Sequence, residues 1–256
     1  MNRLEEIAAL APWSKSVPRD WEVRRLDDVA DVLFSNVDKH TIEGETPVLL
    51  CNYVDVYKNE RIVAGLDFME ASAEPREIDK FQIRRGDVLA TKDSEEADDI
   101  AIPALVAEEL PGVICGYHLA LIRPRSKRIT GDFLAWLHRS KQFRAQYEAK
   151  AVGVTRFGLS QYAFRAALIP LPPIDEQVRI NAYLDYSCAA IDSIAVTKPK
   201  DDALQANGLL NQQMRTLRAY RNSIIHECIT GQRRITAADL AAAKRAEISQ
   251  SSQHQS

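Results

Sequence analysis

The pattern closest to catalytic chemistry in this chain is Asp132 followed by Glu148-Ala149-Lys150. In many nucleases a D…E-x-K set holds Mg²⁺ between two carboxylates while the lysine activates water. Here Gly131 precedes the aspartate, and Glu148 and Lys150 end an amphipathic helical repeat rather than lying on adjoining strands. The match is therefore read as chance. Leu171-Pro172-Pro173-Ile174 shares its prolines with the loop that amino-methyltransferases close on a flipped base. It lacks both the polar first residue that would hold the exocyclic amine and the aromatic that would stack on the base. Gly153-Val-Thr-Arg-Phe-Gly158 has two glycines but no following Lys-Ser/Thr, and no glycine-rich loop follows a strand to cradle S-adenosylmethionine or a nucleotide. His40, His118, His138, His226 and His254 are scattered, as are Cys51, Cys115, Cys188 and Cys228. Without C-x-x-C or a histidine pair, the cysteines read as buried or half-buried thiols of a reducing compartment. The expectation is a non-catalytic chain with no metal or cofactor of its own.

Charge points elsewhere. The net charge of −3 argues against a simple basic nucleic-acid binder. Yet Arg123–Arg165 holds ten Lys/Arg against Asp132 and Glu148, a net of +8, which leaves −11 for the rest. Asp93–Asp99 alone has five acids in seven residues. A basic segment on an acidic body can follow phosphates while the body resists non-specific condensation.

The elements that must position such residues are α+β. Strand-type runs occur at Pro47–Leu50, Tyr53–Tyr57, Asp87–Thr91, Ile100–Val106, His118–Ile122 and Arg165–Leu171. Turn signals at Glu43–Gly44, Lys58–Asn59, Arg85–Gly86 and Pro111–Gly112 punctuate them. One helix is expected behind a Thr130 cap, with Phe133, Trp136/Leu137, Phe143 and Tyr147 on its apolar face and Arg139, Lys141 and Arg144 opposite. Pro172-Pro173 then ends a strand and opens an all-helical region. Val178, Asn181, Leu184, Cys188, Ile191 and Ala195 step by threes and fours, a coiled-coil seam. Pro199 interrupts it. A second seam runs Ala203, Asn207, Leu210, Met214, Leu217, Arg221, Ile224 and Cys228, and Gly231 supplies a stop. The expected layout is an extension over 1–17, a mixed α/β domain over 18–173, a helical spacer over 174–231 and a frayed tail over 232–256. No apolar run approaches the length of a membrane span, and the N-terminus lacks the charge order of a signal peptide, so a cytoplasmic location is expected.

Read end to end, the chain resembles the specificity subunits of type I restriction-modification systems. The likeness begins at Pro18-Arg-Asp-Trp-Glu-Val23 and Leu26-Asp-Asp-Val-Ala30, then continues through Asn36-Val-Asp-Lys39 and Cys51-Asn-Tyr-Val-Asp-Val-Tyr-Lys-Asn59. Gly86-Asp-Val-Leu-Ala-Thr-Lys-Asp-Ser94, Gly116–Pro124 and Gly153–Leu159 follow. The most characteristic stretch is Ile169-Pro-Leu-Pro-Pro-Ile-Asp-Glu-Gln177, before Ile191-Asp192 and the helical run to Ile229-Thr-Gly231. The resemblance implies a target-recognition domain that reads double-stranded DNA, followed by a helical spacer. Separate subunits would bring S-adenosylmethionine-dependent adenine methylation and ATP-driven restriction. Two departures stand out: complete relatives look about twice as long, with two recognition domains, and Pro199 interrupts a spacer that looks continuous in them. The first implies a half-subunit that homodimerises. A helix over 202–230 would span roughly 43 Å, against about 34 Å between half-sites one turn of DNA apart. A truncated or decoy subunit that occupies the methyltransferase without directing modification is the alternative.

Base reading needs polar or basic side chains in loops or at strand ends. The candidates are Ser35, Asn36 and Lys39; Lys92 and Ser94; Tyr117 and His118; and Thr155, Arg156 and Ser160. Arg123, Arg125, Lys127 and Arg128 are read as phosphate contacts. Arg156, between two glycines within the basic block, is the leading candidate. Leu184, Ile191, Leu210, Met214, Leu217 and Ile224 are the candidate dimer or subunit interface.

Overall fold

The computed structural model describes residues 11–125, 127–196 and 206–253. Its strands are β1 (Glu22–Arg25), β2 (Ala30–Phe34), β3 (Thr46–Cys51), β4 (Arg61–Ile62), β5 (Met69–Ala73), β6 (Val88–Thr91), β7 (Asp93–Ser94), β8 (Pro103–Val106), β9 (Val113–Cys115), β10 (Leu119–Pro124), β11 (Phe157–Gly158) and β12 (Leu168–Leu171). Its helices are α1 (Tyr53–Lys58), α2 (Pro75–Phe81), α3 (Gly131–Arg139), α4 (Lys141–Glu148), α5 (Gln161–Arg165), α6 (Ile174–Val196), α7 (Ala206–Ile229) and α8 (Ala237–Gln253). The architecture is the expected α+β head followed by long helices. None of the described helices is long and apolar enough to cross a membrane.

A five-stranded sheet, ordered β2-β10-β6-β8-β4, forms the centre. Successive side chains on a strand point to opposite faces, and here both faces are buried. Ala120 and Ile122 of β10, Val88 and Ala90 of β6, and Leu105 of β8 belong to one apolar cluster. Leu119 and Leu121, Leu89, and Ala104 and Val106 belong to another. The second cluster is closed by a three-stranded sheet, β5-β3-β9. The first is covered by α3 and α4 and continues without a break into α6 and α7 through Ile180, Leu184, Ile191, Ile224 and Ile225.

Several local expectations hold. Thr130 Oγ1 accepts from Phe133 N and caps α3. Pro172-Pro173 separate β12 from α6. Gly231 follows α7 at φ +73°, and a Cβ there would lie 2.4 Å from Pro18. All four cysteines are free and buried, and burial pushes the Cys188 and Cys228 thiols up to about 12.

Others are corrected. Tyr53–Tyr57, read as a strand, is α1. A capping box decides it: Asn52 Oδ1 accepts from Val54 N, and Asp55 accepts from Asn52 N. The single helix behind Thr130 is two, because Ser140 is extended and caps α4 from the other side. The tail after Gln232, expected to be frayed, carries α8, which packs along α6. Thr236 and Asp239 form its reciprocal cap, and Ile235 and Ala243 bury against the main cluster. Pro199, Ala203, residues 1–10 and the side chains of Ala195, Asn207 and Leu210 lie outside the described residues.

Candidate nucleic-acid interface

β10 divides the candidates into two groups. Five residue steps along it, about 17 Å, separate His118 from Arg123.

At the His118 end, which we term the tip, four segments distant in sequence converge. Asp93 is the hub. Its Oδ2 lies 2.8 Å from His118 Nδ1, and its Oδ1 accepts from Arg156 Nε at 3.1 Å and from Arg156 Nη2. β7 and β11 pair directly beside it, and Val152 bridges Gly158, so Arg156 sits at the top of a small hairpin. Gly153 is required there, since a Cβ would stand 2.0 Å from the Arg156 carbonyl oxygen. Lys92 Nζ donates to the Ser35 carbonyl at 3.1 Å and lies 4.3 Å from the Tyr117 ring centre. Burial lowers the pKa of Lys92, whereas the Asp93 carboxylate raises that of Arg156. Tyr117, at 47% exposure, and the hairpin residues Thr155 and Arg156 face solvent. Beside them is an open cavity of about 580 Å³ with Lys39, Tyr53, Tyr117 and His118 on its wall.

At the other end, which we term the joint, Arg123 is spent on the fold. Arg123 is forked onto the buried Asp87 at 2.9 and 2.7 Å and also donates to the Gln82 carbonyl. The reading of Arg123 as a phosphate contact is therefore corrected. Arg125 pairs with Asp31 and Arg128 with Glu22; Lys127 is exposed beside Pro172 and Pro173. Gln177, fully buried, ties this end to α6. Its Oε1 accepts from Thr130 N at 3.0 Å, and its Nε2 donates to the Arg128 and Pro172 carbonyls at 2.7 and 2.9 Å. Glu176, 3% exposed, accepts from Trp21 Nε1 at 2.8 Å and from Arg234. The Ile174-Asp-Glu-Gln177 stretch is thus the clasp between head and helices.

Two further site residues are corrected. Ser35 is 2% exposed and donates to the Cys115 carbonyl, and Ser94 is 5% exposed and accepts from Glu96 N. Both hydroxyls serve local structure. Ser160 caps α5 through Ala163 N, and Asn36 donates to Glu77 at the surface. Among the interface candidates, Leu184, Ile191 and Ile224 are buried in the chain's own core. Met214 and Leu217 remain half-exposed. The nuclease-like residues are divided between the first turn of α3 (Asp132) and the far end of α4 (Glu148 and Lys150). Among the described residues no three His, Cys, Asp or Glu side chains form a metal-holding group.

Sequence reasoning missed Asp93 and Tyr53. Asp93 lay in a run read only as an acidic stretch, and Tyr53 in a segment read as strand. The Asn52-x-x-Asp55 spacing was the available signal for the second.

Residues 18–201 match the family model of the type I restriction modification DNA specificity domain, and the chain belongs to that family. A putative type I restriction enzyme MjaX specificity subunit from Methanocaldococcus jannaschii is 25% identical over 170 residues, which is 66% of this chain and 39% of that protein. Among solved structures, the HsdS subunit from Thermoanaerobacter tengcongensis aligns with 19% identity and a TM-score of 0.49, over 89% of this chain and 49% of that one. The type I restriction-modification S subunit from M. genitalium aligns with 17% identity and a TM-score of 0.44, over 70% and 41%. The chain therefore spans about two-fifths of the curated relative and about half of the Thermoanaerobacter tengcongensis subunit.

Proposed function

We propose that this chain reads DNA sequence for a type I restriction-modification assembly, using the tip of its head, and performs no chemistry itself. The observation that carries the reading is the convergence at Asp93. Three chain segments present a guanidinium, an imidazole, an exposed phenol and an ammonium at one end of the sheet. Base edges are read by just such donors and acceptors on rigid supports. Asp93 and the nearby acids discourage phosphate-driven binding wherever the base contacts are not made. S-adenosylmethionine and the adenine methyl transfer then belong to a partner methyltransferase, and cleavage to a restriction subunit.

Homodimerisation is part of the proposal. The face of α7 bearing Met214, Leu217 and Tyr220 stays partly open to solvent. The 24 residues of α7 span about 36 Å, close to the ~34 Å between half-sites one turn apart. The test is co-expression with a cognate methyltransferase and genome-wide mapping of methylated adenines. A bipartite palindrome is expected. An asymmetric motif would replace the homodimer with a pairing of two different specificity chains. Complex formation without site-specific methylation would identify a decoy.

A further inference from the structure

Three arginines outside the tip converge where the head meets α7. Arg139 ends α3, Arg144 lies in α4 and Arg221 in α7, and together with Lys58, Asn59 and Glu60 they line a cavity of about 230 Å³. The Arg139 side chain is 7% exposed and that of Arg221 16%. Such burial is costly for a cation unless opposing charge is supplied. The supply here is unevenly shared. Arg139 Nη2 donates to the Glu60 carbonyl at 2.7 Å, and Arg221 Nη2 donates to the Glu60 carboxylate at 2.5 Å. Asp192 stands 3.3 Å from Arg221 Nε. Among the described residues Arg144 has the carbonyls of His138 and Arg139 as hydrogen-bond partners. Glu60 and Asp192 pair with Arg139 and Arg221, and Asp185, Asp98 and Asp99 act on Arg139 and Arg144 from further off. Among the described residues Arg144 forms no ion pair, and the buried Nε atoms of all three make no hydrogen bond. Burial also pulls the Arg139 and Arg144 guanidiniums below their ordinary range.

Three guanidiniums lining one small cavity, one of them without a carboxylate partner, are the chemistry that recognises a phosphate-type oxyanion. We propose that this cavity binds a phosphate group, either free in solution or in a DNA backbone. Its position allows both sources. Ile102 and Pro103 on its wall begin β8, at the same end of the sheet as Lys92 and His118, because Ala90 pairs with Pro103. The duplex source rests on the DNA-reading proposal, whereas the free-phosphate source does not.

The experiment titrates the full chain with inorganic phosphate against chloride at constant ionic strength, followed by ³¹P line broadening and by the melting temperature. Saturable broadening is expected. Arg144→Gln should weaken it at least about tenfold, Arg144→Lys by less, and Arg85→Gln, at a distant turn, not at all. In a second arm, duplex binding is measured across salt concentrations. If the occupant is a backbone phosphate, free phosphate does not saturate, and Arg144→Gln lowers the salt slope by about one on target and scrambled duplexes alike. Wild-type chain that binds no phosphate, with an unchanged slope in an Arg144→Gln or Arg144→Lys variant that melts normally, would overturn the proposal while leaving base reading by the tip intact.

Discussion

The two ends of β10 hold similar side chains and put them to opposite uses. At the joint, Arg123 is locked onto Asp87, a carboxylate 2% exposed, and the Arg128 carbonyl is held by Gln177. At the tip, Arg156 reaches Asp93 from an exposed hairpin, its side chain 53% exposed where that of Arg123 is 19%. A basic residue buried against its counter-ion is part of the fold, because removing it strands a charge in low dielectric. One at a solvent-exposed pair contributes little to stability and is available for recognition. Counting Lys and Arg along the sequence cannot separate these cases.

The sharpest way to break this contrast is Arg123→Ala, which leaves Asp87 buried and unpaired. A stability loss of about 4 kcal/mol is expected, measured by urea unfolding, and a loss below 1 kcal/mol would put Arg123 back among phosphate contacts. Gln177→Ala strands Thr130 N and two carbonyls at the clasp and should cost about 3 kcal/mol. Acidification probes the core between α3 and α4 in a third way. Burial brings His138 down to about 4, with its ring nitrogens at hydrogen-bond distance from Leu134 O and Tyr147 Oη. A histidine whose folded pKa lies below its unfolded value of ~6.5 takes up protons preferentially when unfolded. Stability is therefore full above pH 6.5 and declines by roughly 3 kcal/mol as the pH falls to 4, a decline that His138→Gln should flatten. At the tip the readout reverses. Arg156→Ala should weaken duplex binding at least about tenfold, or 1.4 kcal/mol, while unfolding moves by less than ~0.5 kcal/mol. Unchanged affinity at physiological salt removes Arg156 from the interface. Asp93→Asn should act most weakly. Affinity for scrambled duplex should rise a few-fold, about 1 kcal/mol or less, and the target preference should shrink.

Much of the fold was legible because its determinants are local. The Thr130 cap, the proline pair and Gly231 each act within a few residues of where they stand, and continuous apolar runs mark β6 and β10. Where a local signal was present but outvoted, the reading failed. The aromatic and β-branched composition of Tyr53–Tyr57 masked its capping box, and the Ala/Ser/Gln tail masked the Thr236–Asp239 cap of α8. The candidate site was legible only in part. Arg156 could be singled out from its flanking glycines, but its partner Asp93 is 63 residues away. Ser35 and Ser94 looked like surface loop residues until long-range packing buried them. Leu184, Ile191 and Ile224 were correctly read as apolar, but they bury in the chain's own core, and periodicity alone carries no information about which surface covers a stripe.

The close approach of Gly231 to Pro18, reinforced by Arg234 on Asp20, has a topological consequence. The segment that leads into β1 and the turn that ends α7 are neighbours, so the chain between them closes on itself like a ring. A ring of this kind can be opened at an exposed turn such as Pro111–Gly112 and rejoined at its seam without altering the packing within it. The same adjacency lets a second unit follow the first in one polypeptide with a short connector, so gene duplication and pairing of separate copies become neighbouring solutions to the same geometric problem.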